Sequence, residues 1–199
     1  MSHPAAARPL RALRLLVLTA AVILCTGVAW SAEQVSVTTA REGRAVRVHA
    51  HAIVHASREV IWQTLTDYEN LPRFILGMDR SHVLRRDGNG TLVEQVGRTS
   101  FLFFTYPIHV VVRAEEDHPR MLRIRLVSGN LKQLESVYRI ETVDAGDQQF
   151  LLRWTAVMEA DLPVPLFVIV RLARMDAQEQ FSGILGEIER REQARARRG

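Results

Sequence analysis

Three histidines on one side of a short segment are the first chemistry to weigh. Within residues 46–55, Val46, Val48, Ala50, Ala52 and Val54 take one parity, and Arg47, His49, His51, Ile53 and His55 the other. On a strand, a His-x-His pair points two imidazoles the same way, as zinc and copper sites require. Here the histidine face lies opposite the apolar one, and no carboxylate is fixed nearby. The chain's single cysteine, Cys25, is remote from this segment. A solvated face is therefore the expectation, and no metal or cofactor is assigned. His109 and His118 add nothing at ligand spacing.

A second set lies further along: Arg98, Arg113, Glu135, Ser136 and Tyr138. These are groups that could orient an enol and move protons if they faced a cavity. A buried arginine among them would demand a partner, for which Glu94 and Glu135 are the candidates. The alternative places most of them on the wet side of a sheet. The sequence holds no glycine-rich phosphate loop, nucleophile elbow or paired-histidine helix motif, and no residue is assigned as catalytic. Arg190, Arg191, Arg195, Arg197 and Arg198 form a basic terminus. It is either simply solvated or a peripheral contact with an anionic membrane surface.

The elements that must carry these groups follow from periodicity. Residues 46–55 alternate as a half-buried strand. Ser57 stands as a helix N-cap with Glu59 in the first turn, and Ile61, Leu65 and Tyr68 fall at helical spacing. Asp67 reads as a second cap and Leu71-Pro72 ends the run, so two short helices follow the first strand. Between Met78 and Ala160 the helical period is absent. Alternating segments near 79–86, 91–103, 108–116, 121–128, 132–143 and 149–160 are separated by turn chemistry, as at Asp87-Gly88-Asn89-Gly90 and Gly129-Asn130. That makes seven antiparallel strands. After Leu162-Pro163-Val164-Pro165, apolar residues recur at three and four from Leu166 to Ile188, which predicts one long helix of about 25 residues.

The first thirty residues read differently. Arg8, Arg11 and Arg14 precede an apolar run from Leu15 to Cys25, and then come Gly27, Ala29, Ser31 and Ala32. This is the layout of a secretory signal peptide, with cleavage expected after Ser31. An uncleaved anchor is the alternative, the run being just short of the ~20 residues that span a bilayer. Losing residues 1–31 removes three arginines and no acidic residue, so the formal net charge falls from +4 to +1. A near-neutral domain is no nucleic-acid footprint. The expected organisation is a signal peptide at 1–31, a linker at 32–44, a domain at 45–192 and a basic disordered tail at 193–199, in a periplasmic protein.

The order of these pieces resembles the helix-grip superfamily of START-like and polyketide-cyclase proteins (SRPBCC), and more narrowly the coenzyme-Q-binding START-domain family. The likeness rests on Val54-His55-Ala56-Ser57-Arg58-Glu59-Val60-Ile61-Trp62, Asp67-Tyr68-Glu69-Asn70-Leu71-Pro72-Arg73-Phe74 and Ser81-His82-Val83. Gly129, Leu134, Tyr138-Arg139-Ile140 and the proline-rich approach to the last helix complete it. The resemblance implies an α+β fold with a seven-stranded antiparallel sheet wrapped around a long C-terminal helix. It also implies a cavity for a hydrophobic small molecule or lipid. On that architecture the expected lining is Leu134, Tyr138, Trp154 and Met158 from the sheet and Val170, Ala173 and Ala177 from the helix, with Arg113 or Tyr138 meeting a polar head. A non-enzymatic carrier or sensor is the first expectation. A cyclase or aromatase working through Arg113 or Tyr138, and an interaction module with a closed core, are its rivals.

Overall fold

In a computed structural model of the chain, residues 35–88, 90–101, 104–144, 149–160 and 164–198 are described. The expected signal peptide lies outside them. Strand β2 (Ala45–His55) follows the parity of its sequence: Val46 and Val48 are fully buried, Ala50 and Ala52 nearly so, and His49 and His51 are exposed on the opposite face. Before it, where the sequence predicts a linker, stands a further strand. β1 (Ser36–Glu42) pairs antiparallel with β2, from Ser36 opposite His51 to Glu42 opposite Ala45. Its apolar signal is weak because an edge strand buries little, here Val37 alone. The sheet therefore has eight strands rather than seven.

Helix α1 (Arg58–Leu65) starts where Ser57 Oγ accepts a hydrogen bond from the Val60 amide. The second short helix, Tyr68–Arg73, is of 3₁₀ type. Asp67 stands at its N-cap position as expected, though without a side-chain capping bond. Its carboxylate instead accepts from Asn70 Nδ2 at 2.8 Å and from Arg191 Nη2 at 2.6 Å.

The remaining strands are β3 (Met78–Asp87), β4 (Gly90–Phe101), β5 (Phe104–Asp117), β6 (Met121–Gly129), β7 (Leu131–Asp144) and β8 (Gln149–Ala160). All pairings are antiparallel, in the order β1-β2-β8-β7-β6-β5-β4-β3. The last strand thus lies beside β2, and β3 ends the sheet with two register shifts along its length. Inner strands turn one parity inward: Leu152, Trp154 and Ala156 on β8, and Val110, Val112 and Ala114 on β5, are all at most 3% exposed.

Helix α2 (Leu166–Ala196) has 31 residues, longer than expected, and continues through the start of the segment read as a tail. At 1.5 Å per residue it is about 46 Å long. Its stripe of Ala173, Ala177, Phe181, Ile184 and Ile188 is buried in the core shared with the sheet. Gly183 permits the closest approach: a Cβ there would sit 2.0 Å from the Phe74 carbonyl oxygen, so the helix rests directly on the backbone that follows the 3₁₀ helix. The C-terminal half is tied down further. Glu192 Oε2 accepts from the Ser57 amide at 3.0 Å and from Ser57 Oγ at 3.2 Å, while Arg191 bridges Asp67 and Glu187, both at 2.6 Å. Among the described residues, no helix is long and apolar enough to cross a membrane.

Candidate ligand cavity

Beneath the clamped half of α2 the two layers do not close completely. A cavity of about 130 Å³ remains, reached by residues from α1, the 3₁₀ helix, β3 to β8 and α2. Its wall is mainly aliphatic: Leu65, Leu71 and Ile75 on the helical side, Val93, Val112, Ala114 and Ile124 on the sheet floor. Met78, Leu134 and Met158 also contribute. Inward parity accounts for the members on β4 to β8, since each is two residues from another inward-facing position.

Five polar side chains interrupt this wall: Tyr68, Gln95, Ser136, Tyr138 and Gln180. Tyr138 lies directly across β7–β8 from Trp154. Gln180 Nε2 donates to Tyr138 Oη at 3.0 Å, and Trp154 Nε1 donates to Ser136 Oγ at 2.8 Å. Burial pushes the Tyr138 hydroxyl well above the ordinary phenol range, with the Gln180 bond working weakly against it. Tyr138 is therefore a protonated donor at neutral pH, not a base. Tyr68 Oη donates to Glu116 Oε1 at 2.8 Å, and Thr91 Oγ1 donates to the same oxygen at 3.1 Å. Burial, reinforced by that carboxylate, raises the Tyr68 hydroxyl as well.

Of the residues expected to line a pocket, Leu134, Tyr138, Trp154 and Met158 lie on this wall. Ala173 and Ala177 are buried but pack in the core beside it, and Val170 is half-buried nearer the helix start. The helix instead reaches the cavity with Gln180 and Ile184. Arg113 requires correction. It sits between the inward Val112 and Ala114, so it points to the outer face, where Nη2 meets Asp87 Oδ1 at 2.6 Å. The same parity places Arg98 against Asp79 at 2.8 Å and Glu135 near Arg125 on the outside. Gln95 and Gln180 were missed. Their signal was positional: Gln95 is two residues from the fully buried Val93, and Gln180 is three from Ala177 and four from Ile184. No group of three or more metal-ligating side chains is assembled among the described residues.

The fold has well-defined counterparts. The Zhui aromatase/cyclase from Streptomyces sp. R1128 superposes with a TM-score of 0.63 at 14% identity, over 74% of this chain and 95% of that one. A START superfamily protein from Mycobacterium smegmatis gives 0.63 at 18% identity, over 72% and 97%. TTHA0849 from Thermus thermophilus gives 0.62 at 15% identity, over 71% and 96%. At such identities the likeness is one of fold. No curated protein sequence matches the chain significantly. A family model does: residues 54–181, from the end of β2 to the middle of α2, match it, and the chain belongs to the polyketide cyclase / dehydrase and lipid transport family.

Proposed function

We propose that this protein is an exported, non-enzymatic carrier or sensor that holds a small hydrophobic molecule between the sheet and α2. The observation that carries this reading is the chemistry of the cavity wall. Among its described residues there is no carboxylate, imidazole, amine or guanidinium, only aliphatic and aromatic side chains with five polar groups that are neutral at physiological pH. General acid–base work near neutral pH calls for a group that ionises there, and both cavity tyrosines are pushed away from that range. An apolar cavity with a few oriented polar groups is what a binding site needs. Size narrows the ligand. An apolar cavity of roughly 150 Å³ accepts benzene, so the present space suits a single ring or a comparable part of a longer molecule. Met78 on β3 and Met158 on β8, both flexible side chains, allow that space to widen.

Native mass spectrometry of the protein recovered from the periplasmic fraction, followed by organic extraction, tests this proposal. A stoichiometric quinone, lipid or similar molecule supports a carrier and names its cargo. A protein that is empty, stays empty when offered hydrophobic ligands and is absent from the periplasm overturns the reading. Export itself rests on the basic, apolar and small-residue order of residues 8–32.

A second reading, a cyclase or aromatase, is favoured by one observation. Tyr138, Ser136 and Gln180 converge on one wall and could hold an enol oxygen. It requires turnover that Tyr138→Phe removes without loss of binding.

A further inference from the structure

Apolar and cationic side chains share one exposed face at the start of α2. Phe167, Arg171, Arg174 and Gln178 recur at spacings of four, three and four, so they form one stripe along the helix. Val168 and Met175 run beside it. Phe167 is 73% exposed and Met175 42%, while Leu172, Ala173 and Ala177 on the inner side are buried. Among the described residues neither Arg171 nor Arg174 has a bonding partner. The C-terminal half of the same helix differs: Arg190 and Arg191 pair with Glu187, and Arg195 with Glu192. The first turn of α2 holds no acidic residue and no side-chain cap, so the positive end of the helix dipole adds to the two arginines. Asp176, the first carboxylate of the helix, faces away from the stripe, where Thr99 of β4 donates to it.

We infer that this face is a docking surface for an anionic lipid bilayer. Phe167 and Met175 gain by leaving water, and the two guanidinium groups between them then lie among the phosphates, which is the arrangement of an interfacial helix. A protein partner fits less well. From Leu166 to Gln178 the stripe is about 20 Å long and on the order of 10 Å wide, well short of the roughly 800 Å² that each partner of a stable protein pair buries. A second copy of the chain would also bring like charges against it. Thr99 stands two residues before the end of β4, and Phe167 lies about 14 Å nearer the helix start than Asp176. The bilayer therefore meets the end of the domain where β4 finishes and α2 begins. The other end of α2, where Glu192 is bonded to Ser57, stays in water. This surface serves whatever the cavity holds, and its test is separate from that of the ligand.

Phe167→Trp reports the contact. The full chain is titrated with vesicles of phosphatidylcholine, alone or mixed in equal parts with phosphatidylglycerol, whose acyl chains are brominated near the head group. Emission in excess of that from the unaltered protein is expected to shift to the blue and be quenched by the anionic vesicles and not by the neutral ones. Leu84→Trp, at an exposed apolar position on β3, is expected to stay unquenched, which separates docking by this face from attachment through any other part of the chain. Adding Arg171→Gln and Arg174→Gln to Phe167→Trp should lower the quenching severalfold, since each cation close to an anionic surface adds about 1 kcal/mol to binding. Arg197→Gln with Arg198→Gln should leave it unchanged. All of these side chains are exposed, so each variant is expected to keep the Tm of the parent. No quenching at position 167, equal quenching at position 84, or quenching that survives loss of Arg171 and Arg174 overturns the docking surface. Dependence on Arg197 and Arg198 instead puts the contact at the basic terminus and overturns it as well.

Discussion

Tyr138 and Trp154 stack face to face across the β7–β8 ladder, with ring centroids 5.6 Å apart and planes 7° from parallel. Phe181 of α2 continues the stack, 6.3 Å beyond Trp154. This three-ring column joins sheet to helix at the cavity wall, and it fixes the tyrosine hydroxyl where Gln180 can reach it. Removing its middle member leaves a void between two layers. Trp154→Ala is expected to cost about 3–5 kcal/mol, seen as a lower urea midpoint, and also to leave Ser136 Oγ without its donor.

Filling the cavity separates binding from folding. Ala114 is buried on the cavity floor, so Ala114→Leu directs its added carbons into empty space. Ligand retention should be lost while Tm stays within a few degrees of the parent. Ala173 is buried in the core beside the cavity, and Ala173→Trp should instead lower stability by about 1–3 kcal/mol or more through overpacking. Calorimetry of both variants beside a binding assay distinguishes the two sites.

Two glycines of α2 should respond to alanine in opposite directions. Gly186 has open space around it, and Gly186→Ala should stabilise by up to about 1 kcal/mol through helix propensity. At Gly183 the same gain is outweighed. A Cβ 2.0 Å from the Phe74 carbonyl oxygen must push the helix off its support, and chemical denaturation should show a net loss.

Acid should loosen the C-terminal half of α2. The bond from Arg190, with a further one from Arg191, holds the Glu187 carboxyl down at about 2 despite its burial. Its folded value lies below its unfolded one, so the unfolded chain binds more protons between them. The stabilisation is present in full above the ordinary carboxylate range and is lost as pH falls toward 2. Glu187→Gln should flatten that acid limb in a pH series of thermal melts.

Asp176 should behave in the opposite sense. Burial raises its carboxyl, while the bond from Thr99 partly offsets this and Glu179 adds to it. The folded form therefore holds its proton more tightly than the unfolded one, and stability declines as pH rises past the ordinary aspartate range. Asp176→Asn should raise Tm at pH 7 and change it little at pH 3.

Most of the sheet was legible because every inner strand alternates against a core. β1 was not, since a seven-residue edge strand with one buried side chain carries almost no period. Arg113 was misplaced by attending to its chemistry instead of its parity between Val112 and Ala114. Gln95 and Gln180 escaped for the converse reason: polar residues at inward positions look like surface unless their position is weighed above their type. Asp67 stands at the N-cap position read for it, but its carboxylate is taken up by Arg191, 124 residues away, and no local pattern reveals that.

The register shifts of β3 bear on how copies of this chain meet. A sheet that ends in an unpaired strand offers a row of amides and carbonyls to any extended neighbour. Here that row is bent twice, and the exposed Asp79, Arg80, His82, Arg85 and Arg86 are distributed along it. A second copy approaching this rim would have to follow both bends and bring its own like charges against them. Geometry and charge at β3 thus both work against the addition of a further strand.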